Sequence, residues 1–174
     1  MGRMTLVLGG AKSGKSSWAQ ARCEEYPGPR LYLATAEARD EEMTARIARH
    51  QAERGPSWRT VEEPLDPPRV IRELKPGDVA VVLVDCLTLW LSNLMAGQNL
   101  DPGQAVERVG ELARAAAAAP VPVVIVSNEV GQGIVPDNTL ARAFRDAAGL
   151  GHQVLARSAA EVVFVVAGLA QRLK

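Results

Sequence analysis

Short apolar runs rich in Val, Ile and Leu recur along the chain, with helix-forming segments between them. The runs cover residues 5–8, 31–34, 79–84, 121–126 and 162–166. Most are nearly continuous instead of alternating with polar residues, as a strand covered on both faces requires. Because these strands alternate with helices, the pattern predicts an α/β fold with a mostly parallel central sheet flanked by helices.

Helices and breaks between these strands complete the predicted order of elements. Helices are predicted at 15–24, 40–54, 105–119 and 138–157, and a short strand ending in carboxylates and a turn at 58–64. Pro and Gly mark breaks at 26–29, 64–68, 75–78 and 131–136. No break is long enough to link independent domains, so we expect one domain spanning residues 1–174.

Charge and cysteine content exclude several classes of protein. Twenty Lys and Arg balance twenty Asp and Glu, so a nucleic-acid partner is not expected. Cys23 and Cys86 form no C-x-x-C motif, which disfavours a disulfide framework or a zinc site. The longest apolar segment, 115–126, contains two prolines and is too short to cross a bilayer. We therefore expect a soluble, cytoplasmic protein without a membrane span.

A phosphate-binding motif lies between the first predicted strand and the first predicted helix. The sequence GGAKSGKS, from Gly9 to Ser16, matches G-x-x-x-x-G-K-[ST]. Its glycines let backbone amides turn inward around phosphate oxygens, and the helix adds the positive end of its dipole. Lys15 is expected to reach the β and γ phosphates, and Ser16 to bind Mg²⁺. A glycine-rich turn without a ligand is the alternative, but the motif and its context favour a P-loop NTPase-like fold.

Asp85 ends the apolar run at 79–84, as in a Walker B strand. A carboxylate at this end of a buried strand lies near the phosphate loop and can hold a magnesium-bound water. Alternatively, Asp85 caps a helix that begins near Thr88. The residues alone leave both roles open.

His50 lies on the predicted helix 40–54, on one face with Met43, Ile47 and Arg54. Periodicity alone favours a packed or capping histidine over a catalytic one. Arginines at positions 46, 49 and 54 suit a phosphate-rich neighbour. They are equally compatible with a solvated helix face.

Glu62 and Glu63 follow the short strand that begins at Trp58. A carboxylate can accept both donors on the Watson–Crick edge of guanine, although an exposed strand end is the simpler interpretation. The segment 127–131 lacks the Lys and Asp of the guanine-specificity motif of switch GTPases. A guanine contact therefore remains open, whereas a switch GTPase is disfavoured.

Motifs along nearly the whole chain combine into one resemblance. In order, they are the loop 9–16, Ala34-Thr35, residues 40–43, Arg46-Ile47 with His50, Trp58-Arg59-Thr60 with Glu62, residues 128–131 and 133–136, Arg142 with 144–146, and Glu161-Val162. Their order and spacing resemble the bifunctional adenosylcobinamide kinase and adenosylcobinamide-phosphate guanylyltransferase family of cobalamin assembly. This chain differs in having Lys12 where Arg is common, Asp85 in place of Glu, and Arg49 where a second His can occur.

The resemblance implies two reactions and a set of site residues. Adenosylcobinamide is phosphorylated with ATP or GTP, and GMP then passes from GTP to adenosylcobinamide phosphate, with release of pyrophosphate. His50 is implied to be the nucleophile that forms a guanylyl-histidine, with Lys15 as the other catalytic residue, and Ser16 and Asp85 hold Mg²⁺. The implied nucleotide-binding residues are Gly9, Gly10, Ala11, Lys12, Ser13, Gly14, Lys15, Ser16, Thr35, Ala36, Glu37, Gln51, Ala52, Glu53, Arg54, Glu62 and Asp85.

The resemblance also implies a homo-oligomer, a trimer.

Two alternative functions remain. One is a P-loop kinase that phosphorylates a small alcohol without nucleotidyl transfer. The other is an NTP-dependent switch or assembly ATPase, for which the sequence offers neither a guanine-specificity motif nor a partner-binding tail. ATP and GTP both remain candidate phosphoryl donors, and the sequence assigns no general base to the kinase step.

Overall fold

A seven-stranded sheet forms the centre of the fold. The structure is a computed structural model that describes residues 3–36 and 55–174. The strands are β1 (Met4–Gly9), β2 (Arg30–Ala34), β3 (Trp58–Glu62), β4 (Val81–Asp85), β5 (Val123–Asn128), β6 (Glu161–Val166) and β7 (Leu169–Arg172). They are arranged in the order β3-β2-β4-β5-β1-β6-β7, with β7 alone antiparallel to its neighbour. The predicted α/β fold with a mostly parallel sheet is confirmed.

Helices cover both faces of this sheet. In the described residues they are α1 (Lys15–Glu24), α2 (Pro67–Glu73), α3 (Leu87–Ser92), α4 (Pro102–Ala118) and α5 (Thr139–Ser158), and a π-helical turn, Asn93–Gly97, continues α3. Helix α1 packs on one face against β1, β4, β5 and β6, whereas α3 and α5 pack on the other face and α4 packs against α5. The helix predicted at 40–54 lies outside the described residues. None of the described helices is long and apolar enough to span a membrane.

Burial on both faces explains the continuous apolar runs. Val7, Leu83 and Val126 pack on the face covered by α1. Leu6 and Ile125 point to the opposite face, where the fully buried Trp90 of α3 joins the core. Since successive residues of a strand face opposite sides, both sets must be apolar.

Proline shifts the start of β5 relative to the predicted strand at 121–126. The strand begins at Val123 because Pro120 and Pro122 have no amide hydrogen to donate to the sheet. Pro122 still contributes its carbonyl oxygen, which accepts a hydrogen bond of 3.0 Å from the backbone of Val82. The prediction was correct in the existence of the strand and wrong by two residues at its start.

Two elements were not predicted. Helix α2 begins inside the segment interpreted as a break, because Pro67 and Pro68 occupy its first positions and the Asp66 side chain accepts a hydrogen bond from the backbone of Arg69. Strand β7 follows a tight turn at Ala167 and Gly168, which both have positive φ. Ala-Gly is a weaker turn signal than Asn-Gly or Asp-Gly, so this hairpin is only weakly indicated by its residues.

A capping box begins α4. The Asp101 carboxylate accepts a hydrogen bond of 2.9 Å from the backbone of Gln104, and the Gln104 side chain accepts one of 3.0 Å from the backbone of Asp101. These bonds satisfy amide groups that the helix itself leaves without partners.

Replacing Asp101 with Ala should therefore lower the free energy of unfolding by about 1 kcal/mol, because the Gln104 amide loses its acceptor. Urea-induced unfolding measures the change. Glu107→Ala on the exposed face of the same helix is the matched control and should change stability by less than about 0.5 kcal/mol. Equal losses in the two variants would contradict the importance of the cap.

Candidate functional site at the carboxyl edge of the sheet

Parallel pairing brings the ends of three central strands to one edge of the sheet. Gly9 at the end of β1 pairs with Asn128 at the end of β5, and Asp85 at the end of β4 pairs with Val126. In an open parallel sheet, ligands bind in the crevice at this edge. The phosphate loop and Asp85, predicted separately, therefore lie on the same side of the molecule.

The loop between β1 and α1 has the features of an anion site. Gly14 precedes α1 with φ of 93°, and no side chain of the described residues caps the first amides of the helix. Lys15 is only 8% exposed, and its Nζ donates a hydrogen bond of 3.1 Å across the loop to the carbonyl of Gly10. The Ser13 hydroxyl is buried, and within residues 3–36 and 55–174 it has no hydrogen-bond partner. A buried hydroxyl without a partner and uncapped amides fit a phosphate ligand.

Close packing against β6 and the turn after it makes two of the loop's glycines necessary. A Cβ on Gly9 would lie 2.5 Å from Ser13 Oγ and 2.6 Å from the carbonyl oxygen of Val165. A Cβ on Gly14 would lie 3.1 Å from the Cα of Gly168, whose amide donates a hydrogen bond of 2.8 Å to the Ser13 carbonyl. The β6–β7 turn thus holds the loop in place, a contact that the sequence analysis missed.

The remaining loop residues are more open to solvent. Ser16, on the first turn of α1, is partly exposed, and Ala11 and Lys12 are exposed at the tip of the loop. Lys12 has φ of 53°, in the left-handed region that few residues other than glycine adopt. The predicted nucleotide contacts of these residues stay predictions.

Asp85 does not cap the helix that follows it. Helix α3 begins at Leu87 with Cys86 as its N-cap residue and without a side-chain cap bond, so the capping alternative for Asp85 is wrong. The Asp85 carboxylate instead accepts a hydrogen bond of 2.8 Å from the Tyr32 hydroxyl. Burial, followed by the charge of Asp85, raises the pKa of the Cys86 thiol to about 11, and the nearby Lys15 ammonium acts in the opposite direction. The Lys15 ammonium thus lies close enough to the β4–α3 junction to affect the pKa of the Cys86 thiol.

The hydroxyl and the carbonyl of Thr35 form hydrogen bonds within the protein. It is fully buried, and its hydroxyl both donates to the Cys86 carbonyl and accepts from the Cys86 amide, each at 2.8 Å. Asn93 of the π-helical turn donates to the Thr35 carbonyl at 2.8 Å. Thr35 therefore fixes the end of β2 to the β4–α3 junction, and Ala36 after it is the last residue before the gap in the described chain.

The two carboxylates after β3 have different surroundings. Glu63 accepts hydrogen bonds from the amides of Leu65 and Asp66 and from the Arg69 guanidinium. Burial alone would raise the pKa of Glu63, but these three donors lower it. Glu62 is exposed at the end of β3. Of the two, Glu62 is the carboxylate open to a ligand, and its guanine contact stays a prediction.

Several predicted site residues cannot be located relative to this edge. Glu37, His50, Gln51, Ala52, Glu53 and Arg54 lie outside the described residues, as do Arg46 and Arg49. The roles assigned to them stay predictions from the sequence.

A buried polar group at the end of β5 contains His152, for which the sequence predicts a structural role. His152 of α5 is 6% exposed, and its Nε2 lies 2.7 Å from the Ser127 hydroxyl of β5. Its Nδ1 lies 3.6 Å from the carboxylate of Glu129, whose backbone amide donates to the Gly9 carbonyl at 2.9 Å. The available signal for Glu129 was its position directly after an apolar strand, the same signal that identified Asp85.

Ser16 and Asp85 are the predicted magnesium ligands at this edge. In the described residues there is no cluster of three or more His, Cys, Asp or Glu side chains, as a metal site formed by protein ligands alone would require. Mg²⁺ usually takes one or two protein ligands together with phosphate oxygens and water. Ser16 and Asp85 match such a sparse oxygen donor set.

Gly9→Ala should lower the free energy of unfolding by about 1–3 kcal/mol, because the new methyl group would collide with a backbone carbonyl that cannot rotate away. Gly10→Ala is the matched control, since a Cβ there meets none of the described residues within 4 Å, and it should cost less than about 0.5 kcal/mol. Thermal and urea unfolding of both variants measure the difference. Equal stability of the two would show that the loop is not packed as described.

The pH dependence of stability should report on His152. Burial lowers the pKa of His152 below 6.5, against the opposing effect of Glu129. Well above pH 6.5 the ring is neutral in both the folded and the unfolded chain, so it contributes no pH dependence. As pH falls below about 6.5, the unfolded chain binds the proton more readily, and folded stability is lost by at most about 1.4 kcal/mol per pH unit.

His152→Gln removes this titration while keeping a hydrogen-bonding side chain. We expect the stability of the parent relative to the variant to decrease between pH 7.5 and pH 5.5, measured by urea unfolding at each pH. A difference that stays constant or grows as pH falls would contradict the lowered pKa.

Comparisons with known proteins agree on one family. Residues 5–173 match the family described as cobinamide kinase / cobinamide phosphate guanyltransferase. The chain is 45% identical to the bifunctional adenosylcobalamin biosynthesis protein CobP of Pseudomonas aeruginosa, over 97% of this chain and 96% of that protein. It is 43% identical to the protein CobU of Salmonella typhimurium, which carries the same bifunctional description, over 98% of this chain and 99% of that one.

Fold similarity extends to a more distant protein. The RadB recombinase matches with a TM-score of 0.53 and 17% identity, covering 93% of this chain and 73% of RadB. At that identity the likeness supports the P-loop NTPase-like fold alone. The match over residues 5–173 and the high identity over nearly the full length of the curated relatives show that this chain belongs to the cobinamide kinase / cobinamide phosphate guanyltransferase family of enzymes.

Proposed function

We propose that this protein phosphorylates adenosylcobinamide with ATP or GTP and then transfers GMP from GTP to adenosylcobinamide phosphate through a guanylyl-histidine at His50. The products are adenosylcobinamide-GDP and pyrophosphate. The observation that supports this proposal most strongly is the phosphate loop, whose uncapped helix and buried Ser13 hydroxyl fit phosphate oxygens, in a chain of this family.

The loop would serve the nucleotide in both reactions. Its amides and the start of α1 surround the phosphates, and the Lys15 ammonium exchanges its bond with the Gly10 carbonyl for one with the β and γ phosphates. A fixed positive charge that needs no rearrangement stabilises the charge that develops on transfer. The predicted nucleotide contacts of the loop, Thr35, Ala36 and Glu62 belong to this proposal.

Ser16 and Asp85 are the residues that would hold Mg²⁺. When bound, the metal neutralises charge on the phosphates. The Tyr32 hydroxyl, 2.8 Å from Asp85 Oδ2, would orient that carboxylate.

The guanylyl transfer would use His50 as a nucleophile. Neutral imidazole attacks the α-phosphorus of GTP, a nitrogen–phosphorus bond forms, and the bond to the bridging oxygen breaks as pyrophosphate leaves. A phosphate oxygen of adenosylcobinamide phosphate then attacks the same phosphorus and regenerates the free histidine.

Three further expectations accompany this function. We propose that both activities belong to one domain spanning residues 1–174, that the chain forms a homo-oligomer, a trimer, and that it is cytoplasmic. A kinase that phosphorylates adenosylcobinamide without nucleotidyl transfer is the second candidate, because the loop geometry by itself suits that reaction equally well.

A covalent adduct separates the two candidates. Incubation with GTP labelled at the α-phosphate, followed by denaturation, should leave label on the protein that is labile in acid and stable in base, as a phosphoramidate is. His50→Ala should abolish this label, because the nucleophile is absent. The same variant should still phosphorylate adenosylcobinamide, which shows that it is folded and binds nucleotide.

The opposite results would reject the transferase half of the proposal. If the parent forms no adduct during turnover, the kinase alone is supported. If His50→Ala retains the full label, another residue carries the GMP.

A further inference from the structure

We propose that Glu129 is the general base of the kinase reaction, accepting the proton of the adenosylcobinamide hydroxyl as its oxygen attacks the γ-phosphorus. This inference rests on the kinase half of the proposed function. Glu129 belongs to the segment 128–131, to which the proposed function assigns no role.

The position of Glu129 relative to the phosphate loop is fixed by the backbone. Glu129 follows Asn128, the partner of Gly9 in the register of β1 and β5. Its amide donates a hydrogen bond of 2.9 Å to the carbonyl of Gly9, the first residue of the loop. Its side chain is 20% exposed. The backbone of Glu129 is therefore beside the phosphate loop, and its side chain is partly open to solvent at this edge.

One hydrogen bond holds the carboxylate, and a buried ring nitrogen faces it. Oε1 accepts a hydrogen bond of 2.6 Å from the Gly131 amide. Oε2 lies 3.6 Å from His152 Nδ1, a buried atom without a hydrogen-bond partner in the described part of the chain. Either group can donate in the 2.7 Å contact between Ser127 and Nε2 of the same ring. The Glu129 carboxylate can only accept, so it favours the form of neutral His152 that carries its proton on Nδ1. A buried donor aimed at a carboxylate restricts its orientation.

The 3.6 Å separation allows this contact to tighten. Hydrogen bonds of catalytic groups are often long without substrate and shorten in the reacting complex. Gly131 is already close on the other side, because a Cβ at that position would lie 2.8 Å from Oε1. The loop after β5 therefore fits closely around the carboxylate.

Other carboxylates at the ends of the described strands are less suited to this role. Asp85 is bonded to Tyr32 and assigned to Mg²⁺. The Glu63 carboxylate is already bonded to two amides and Arg69. Glu62 ends β3, and three strands lie between β3 and β1. Glu129 follows β5, which is the direct neighbour of β1. Glu129 is the carboxylate of this group that combines proximity to the loop with exposure.

The kinase step transfers the γ-phosphoryl group from the nucleotide to the hydroxyl oxygen. The hydroxyl oxygen forms a bond to the γ-phosphorus, and the bond from that phosphorus to the oxygen bridging the β-phosphate breaks. The electron pair leaves with the nucleoside diphosphate. The hydroxyl proton passes to Glu129 and from there to water. Guanylyl transfer needs no such base, because its nucleophiles are neutral imidazole and an ionised phosphate.

Glu129→Gln tests this assignment because Gln has the same shape and cannot accept the proton. We expect kcat for phosphorylation of adenosylcobinamide to fall about 10²–10⁴-fold, the usual contribution of a general base. The KM for nucleotide and the labelling by α-labelled GTP should stay close to those of the parent. Glu129→Asp should recover part of the kinase rate. Glu107→Gln, on the exposed face of α4, is the matched control for loss of a carboxylate and should leave both activities unchanged.

His152 is a positioning residue in this scheme, and a pair of variants tests it. His152→Leu removes the donor facing Glu129 and should lower kinase kcat at unchanged KM for nucleotide and unchanged labelling. His152→Gln restores a donor and should recover most of that loss. A parallel loss of labelling in His152→Leu would show a structural role only and would overturn the positioning assignment.

The failures of the two proposals are distinguishable. A Glu129→Gln variant with parent-like kinase kcat, or one that loses kinase activity and labelling together, overturns the role of Glu129 and leaves the proposed function intact. A parent protein that does not phosphorylate adenosylcobinamide overturns both.

Discussion

The parallel register of β1, β4 and β5 brings the phosphate loop, Asp85 and Glu129 to one edge of the sheet. Gly9 pairs with Asn128, and Asp85 pairs with Val126, so the strands end at the same edge of the sheet. A residue directly after any of these strands must therefore face the same crevice. A shift of one residue in this pairing would turn Asp85 to the opposite face of its strand and remove it from the phosphate loop.

Buried hydrogen bonds beneath this edge make it rigid. Thr35 joins the end of β2 to the amide and carbonyl of Cys86, and Ser127 joins β5 to His152 of α5. Both hydroxyls are fully buried, where a polar group without a partner costs about 1–3 kcal/mol. The edge is therefore held by contacts that only one arrangement of strands and helices satisfies, and positioning of this kind is what phosphoryl transfer requires.

Two glycines of the phosphate loop are required by close packing as well as by phosphate binding. The motif GGAKSGKS is usually interpreted through its contacts with phosphate, yet Gly9 and Gly14 are also required by Val165 and Gly168 of the β6–β7 hairpin. Two separate parts of the chain thus specify one loop conformation.

The two cysteines are buried, and burial raises the pKa of Cys23 to about 12 and that of Cys86 to about 11. Their thiols stay protonated and serve as packing groups.

Local patterns in the sequence determined the strands, helix α1 and the phosphate loop, because continuous apolar runs and the loop motif depend only on neighbouring residues. Strand ends such as Val123, the helix that begins at Pro67 and the β6–β7 hairpin were less predictable, since proline and weak turn signals set them. Only the tertiary structure decided that Asp85 bonds to Tyr32, that Gly168 supports Ser13 and that His152 faces Glu129. These partners are distant in sequence and meet only after the sheet and α5 have packed.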